Sequence, residues 1–162
     1  MTNNHVIVNM ADQSMPNEKF AELMTVILAK GIPFRFQAGG FSMVPFVQNG
    51  DLITIMPSDT SLHRGDVVAF INTCNQRLTI HRIIRISRNG YLVKGDNSTE
   101  ADGWITRKEI IGRVTMIEHH GKWSRLGLGN ERILIAYLSR RGWLNAVLGV
   151  TWRFLRPFVK RV

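Results

Sequence analysis

Ser42 stands in the run Gly39-Gly40-Phe41-Ser42-Met43-Val44-Pro45, His81 lies in an alternating β-branched stretch, and two aspartates, Asp96 and Asp102, follow it. These are the residue types of an acyl-transfer site. A serine hydroxyl becomes a nucleophile at neutral pH only if a base takes its proton, and an imidazole base needs an acceptor that fixes its orientation. Two glycines before Ser42 let the backbone approach another segment closely, and Pro45 stiffens the exit, which presents the hydroxyl beside free amide N–H groups. Taken singly, Ser42 reads as a turn residue and His81 as a structural histidine. Their combination carries the argument.

The elements that must position these residues follow from periodicity. From Phe34 to about Glu118 the chain is a series of short β-branched runs: Asp51 to Met56, Asp66 to Ile71, Leu78 to Ile86, Tyr91 to Lys94 and Ile110 to Ile117. Asn49-Gly50, Arg64-Gly65, Asn89-Gly90 and Gly95 punctuate them. This spacing predicts a mainly β body, a compact coiled sheet or partly closed barrel. Strand alternation places Thr79, His81 and Ile83 on one face. Asn89-Gly90 predicts a type I′ hairpin with Arg88 facing Tyr91, Arg85 facing Lys94 and His81 facing Ser98, which brings His81 beside Asp96 and the loop that holds Asp102. Phe20 to Lys30 reads as a short helix ended by Gly31 and Pro33, with Phe20, Met24, Ile27 and Leu28 on one packing stripe.

The chain has 162 residues and a formal charge of +9, from 21 Lys+Arg against 12 Asp+Glu. That is one globular domain. The excess charge sits almost wholly after His120: residues 1–120 carry 12 basic and 11 acidic side chains, residues 121–162 carry 9 and 1. Three segments are expected: a mobile polar arm over 1–19, a body with its leading helix over 20–120, and a basic, Trp-containing helical tail over 121–162. In the tail, Ile133 to Leu138 and Trp143 to Phe154 read as helical pieces separated by Gly142. No run approaches the roughly 18 apolar residues of a membrane-spanning helix, and no secretory signal is visible at the start, so the compartment stays open.

Six short blocks occur in order: Gly40-Phe41-Ser42-Met43-Val44-Pro45, Asn49-Gly50-Asp51, Arg64-Gly65-Asp66-Val67-Val68, His81-Arg82-Ile83-Ile84, Lys94-Gly95-Asp96-Asn97 and Ile111-Gly112-Arg113-Val114. Together they resemble the signal peptidase I family of serine peptidases over roughly residues 39–114. Histidine in the fourth block resembles the archaeal and endoplasmic-reticulum branch; bacterial signal peptidases and self-cleaving repressors of the wider clan carry lysine there. The resemblance implies a serine endopeptidase that needs no cofactor, with Ser42 as nucleophile, His81 as general base, and Asp102 or Asp96 as the orienting acid. The oxyanion hole it implies uses the backbone at Ser42 and Gly40. Lysine-type relatives often carry a serine hydroxyl where this chain has Gly40, so that donor is missing. A histidine base predicts activity that falls below about pH 6.5, where an imidazole protonates, whereas a lysine base demands alkaline conditions.

The expected partner is a peptide or preprotein with a leader or signal-like segment. An anionic membrane surface is a further candidate, met by the tail and by Phe34-Arg35-Phe36 at the catalytic edge. A rival function is a peptidase-like body without chemistry that serves as a cationic adaptor for membrane or nucleic acid. Nucleic-acid recognition is disfavoured, because Trp104, Trp123, Trp143 and Trp152 form no stacking array and the first residues are too few for a helix-turn-helix domain. His63, Cys74 and His119-His120 match no metal-ligand spacing, and Cys74 in Asn72-Thr73-Cys74-Asn75-Gln76 reads as a surface thiol.

Overall fold

The alternating runs assemble into one nine-stranded sheet that curls into a half-barrel. The computed structural model describes residues 6–8, 17–58, 61–72 and 77–144, with backbone alone at 6–8 and 17. Its strands are β1 (Val6–Val8), β2 (Phe34–Gln37), β3 (Leu52–Met56), β4 (Val67–Asn72), β5 (Arg77–Ser87), β6 (Gly90–Lys94), β7 (Gly103–Ile105), β8 (Ile110–His119) and β9 (Lys122–Ser124). Two helices, α1 (Asn17–Ala29) and α2 (Arg132–Arg140), flank them. The hydrogen-bonded order is β1-β2-β3-β8-β4-β5-β6-β7, with β9 added to β8. The mainly β expectation therefore holds. Within the span read as an arm, Val6–Val8 forms a parallel strand against β2. Cys74, Trp152 and the helical piece expected beyond Leu144 lie outside the described residues.

Two hydrophobic clusters hold the sheet. In the first, the α1 stripe of Phe20, Met24 and Leu28 is buried against Phe34, Phe36, Ile53, Ile55 and Val114, with Ile27 partly buried beside it. Phe20 meets Phe34 and Phe36 edge-on at ring separations of 5.6 and 5.3 Å, a geometry that adds about 0.5–1.5 kcal/mol per pair beyond area burial. Phe34 and Phe36 are thus core residues, and the expectation that they lean on a bilayer is corrected. Alternation along β2 sends both rings inward, while Arg35 turns out to Glu118 and lies under Trp123. The second cluster packs Val68, Phe70, Ile83, Val93 and Ile105 under β4 to β7.

Turn chemistry departs from expectation twice. The β5–β6 hairpin turns at Arg88-Asn89, with Ser87 paired to Gly90 and Ile86 to Tyr91. Among the described residues only His120 combines a side chain with positive φ, so Asn89 does not adopt a type I′ geometry. Gly90 serves the approach of β7 instead: a Cβ there would overlap the Ile105 carbonyl. After an irregularity between Ile83 and Arg85, Arg82 faces Lys94. This register carries Gly95, rather than Ser98, towards His81. The tight hairpin with two positive-φ residues lies at His120-Gly121 (φ 46° and 78°), joining β8 to β9 with His119 opposite Lys122. A division after residue 120 falls inside that hairpin.

α2 packs on the body. Ile135 and Leu144 close over Phe46, and Ile135, Ala136 and Ser139 form the buried side of the helix. Two buried cations tie the segment down: Lys94 Nζ donates to the Ser139 carbonyl at 2.8 Å, and Arg82 Nη1 donates to the Gly127 carbonyl at 2.7 Å.

Candidate active site

His81 and Asp102 meet directly. His81 lies mid-way along β5 with its side chain 9% exposed, and its Nδ1 is 2.5 Å from Asp102 Oδ2, whose side chain is 21% exposed. Asp102 is placed by its own backbone, which donates to the Val93 carbonyl at 3.0 Å just before β7 begins. If Nδ1 carries the proton and donates to the carboxylate, Nε2 keeps its lone pair. That nitrogen points into the gap between β5 and the Ser42 loop. A Cβ at Gly95 would fall 3.0 Å from His81 Nε2 and 2.7 Å from the Ser42 carbonyl oxygen. Only glycine fits between the two.

The loop bearing Ser42 is held from both sides. Asn97 donates its backbone N–H to the Ser42 carbonyl at 2.7 Å and its side-chain amide to the Phe41 carbonyl at 3.2 Å. The Gly95 to Ser98 turn therefore clasps the residue before the serine and the serine itself. At the far end of the loop, Asp51 accepts from Gln48 N–H at 2.5 Å and pairs with His119 Nδ1 at 2.7 Å, fixing the return into β3. Ser42 is exposed at the surface, and among the described residues its hydroxyl has no hydrogen-bond partner.

Asp96 goes elsewhere. It is fully buried and takes a two-point grip from Arg82, with Nε–Oδ1 at 2.8 Å and Nη2–Oδ2 at 2.7 Å. Of the two aspartates considered for orienting His81, only Asp102 touches it. The reason is alternation: adjacent residues on β5 point to opposite faces, so the aspartate that serves Arg82 cannot also serve His81. Gly40 also departs from expectation as an oxyanion donor, because its N–H donates to Asn49 Oδ1 at 3.1 Å. The Ser42 N–H has no acceptor among the described residues and stays available. Asn49 and Asn97 belong to the motif blocks, but neither stood out as a holder of the serine loop from sequence.

A cleft of about 460 Å³ opens beside Ser42. Its floor is apolar, formed by Phe20, Phe36, Met43 and Ile53, and Leu78 and Ile80 of β5 form one wall. Along that wall β5 pairs with β4 on one side, whereas β6 pairing begins only at Arg82. Among the described residues, no strand pairs with the other edge of Leu78 to Ile80. Among the described residues no group of His, Cys, Asp and Glu is arranged to hold a metal; His63 lies against Asp66 and His119 against Asp51.

A half-barrel with an exposed serine, an aspartate-bound histidine and an apolar-floored cleft beside that serine has a layout suited to a peptidase. The chain belongs to the Peptidase S24-like family, whose model matches residues 8–115. That match contains Ser42, His81 and Asp102, and the family supports a serine-peptidase type of function. Comparison with curated proteins found no match.

Proposed function

We propose that the protein is a serine endopeptidase resembling the Ser-His branch of signal peptidase I, acting on a leader or signal-like segment of a peptide or preprotein. The observation that carries this reading is the His81–Asp102 contact of 2.5 Å, with the opposite ring nitrogen turned to the Ser42 loop. Asp102 holds the imidazole in the tautomer that leaves Nε2 basic. Ser42 Oγ attacks the scissile carbonyl while its proton passes to Nε2. The tetrahedral oxyanion is met by the Ser42 N–H. Collapse breaks the C–N bond, and the leaving amine takes the proton from Nε2. Water, deprotonated by the same nitrogen, then cleaves the acyl-Ser42 ester and restores the enzyme. Lys94 supports a histidine rather than a lysine base, since its ammonium is buried and committed to the Ser139 carbonyl.

The rival reading, a peptidase-like binding module without chemistry, draws on the engaged Gly40 N–H and the unpartnered Ser42 hydroxyl. One experiment separates them. Protein N-termini are compared by mass spectrometry between cells making the wild type and cells making Ser42→Ala. New N-termini that depend on Ser42 establish proteolysis and reveal the substrate. Identical profiles, with both proteins folded at equal levels, favour the module.

A further inference from the structure

We propose that the outward face of α2, with Trp143 beside it, seats the protein on an anionic bilayer surface. Helical geometry divides α2 cleanly. At about 100° per residue, Ile135, Ala136 and Ser139 occupy one arc, and Ile133, Leu134, Tyr137, Arg140 and Arg141 occupy an opposite arc of about 120°. The first arc is buried on the body. On the second, Ile133 and Leu134 are 54% and 60% exposed, in company with Trp143 at 56%. Scattered apolar side chains are ordinary on a surface, but a run on one helix face marks a contact.

The charge of the segment names the occupant. Arg140 and Arg141 share this face, and the Arg141 guanidinium sits 5.3 Å from the Tyr137 ring and 6.0 Å from that of Trp143. Residues 121–162 contain a single carboxylate, Glu131. It is turned to the backbone, accepting the N–H groups of Gly127 at 2.8 Å and Gly129 at 3.1 Å. The segment that bears this face is therefore strongly cationic. A second copy of the chain would set two such faces against each other, at a Coulombic cost. Nucleic acid would satisfy the arginines but leave Ile133 and Leu134 in water. An anionic membrane takes both, aliphatic side chains into the acyl boundary and guanidinium groups at the headgroups. The sequence beyond Leu144 continues the pattern, with Trp152, Phe154 and Phe158 among Arg153, Arg156, Lys160 and Arg161. Because the inner arc packs on Phe46, in the loop of Ser42, bilayer contact would set that loop about one helix diameter, roughly 10 Å, from the interface.

The test is co-sedimentation of the full chain with extruded vesicles of phosphatidylcholine alone and of phosphatidylcholine containing one third phosphatidylglycerol, at low and high salt. The expected result is pelleting with the anionic vesicles only, released by salt. The double variant Ile133→Glu/Leu134→Glu should weaken that binding at least tenfold, and Arg140→Gln/Arg141→Gln should weaken it while reducing the salt dependence. Both should keep the wild-type melting temperature and cleave a soluble peptide at the wild-type rate, so loss of vesicle binding is separate from loss of chemistry. Equal pelleting with both vesicle types, or binding indifferent to both double variants, would overturn the proposal. So would a self-associating wild type that the glutamate variant makes monomeric without changing vesicle binding, or binding to duplex DNA in place of vesicles.

Discussion

His81 and Arg82 are neighbours on one strand, and each holds an aspartate from the same stretch of chain, yet the two pairs live in different surroundings. Arg82 and Asp96 are wholly out of water, bound at two points, with Nη1 donating to the Gly65 and Gly127 carbonyls. His81 and Asp102 share one contact near the surface, and one ring nitrogen faces the serine loop. In the first pair every guanidinium nitrogen is hydrogen-bonded and buried away from any substrate. The second keeps a basic nitrogen unspent at the mouth of a cleft. A buried pair with complete bonding fixes a shape; an incompletely bonded one at an edge can do chemistry.

Substitutions should separate the two pairs. The largest expected effect is His81→Ala: cleavage falls by about 10⁴-fold or more, while the melting temperature moves little because the abandoned carboxylate still reaches solvent. Measured turnover on the substrate revealed by the N-terminal comparison checks it, and full activity in the variant would break the assignment. Next is Asp96→Ala, which leaves a guanidinium buried without its counter-charge. Such losses cost about 3–5 kcal/mol, so the thermal midpoint should drop by about 10 °C or more; a folded, stable and merely inactive variant would place Asp96 in the chemistry instead. Asp102→Asn should cost no more than His81→Ala, lowering kcat by about 10⁴-fold with KM nearly unchanged in steady-state kinetics on the same substrate, through loss of the favoured tautomer.

The smallest effect concerns the far end of the Arg82 network. Bonds from its own backbone N–H and from those of Gly127 and Gly129 hold the Glu131 carboxyl below its usual range, with Arg82 adding to the effect. A depressed carboxylate stabilises the fold above the unfolded value near 4.5, and that contribution disappears as pH falls through the lower folded value. Thermal midpoints of Glu131→Gln should therefore trail the wild type at neutral pH and converge with it in acid. Parallel curves would mean that the carboxylate charge is irrelevant.

Part of this was legible in the residues. The strand runs and the α1 stripe are plain from period, and Ser42 and His81 stand out because their motif blocks and types agree. The choice between Asp96 and Asp102 was not legible, since both follow His81 and only the hairpin register decides which meets it. That register slipped because Asn89-Gly90 signals a tight turn while Gly90 is used to admit β7. The true two-residue turn at His120-Gly121 escaped because it is not one of the Asn-Gly, Asp-Gly or Gly-Gly pairs that mark such turns. In α2, six consecutive apolar residues from Ile133 to Leu138 do not declare which are inside; Phe46, far away in sequence, selects the arc through Ile135.

The bond from Arg82 to the Gly127 carbonyl also sets an order in time. A ribosome adds about 5–20 residues per second, so Gly127 is made about 1–5 s after Asp102. A nascent chain paused in that interval already contains Ser42, His81 and Asp102, but it lacks the carbonyl that completes the Arg82 cage behind the Gly95 turn. The Arg82 cage is therefore complete only once the chain has been made as far as Gly127.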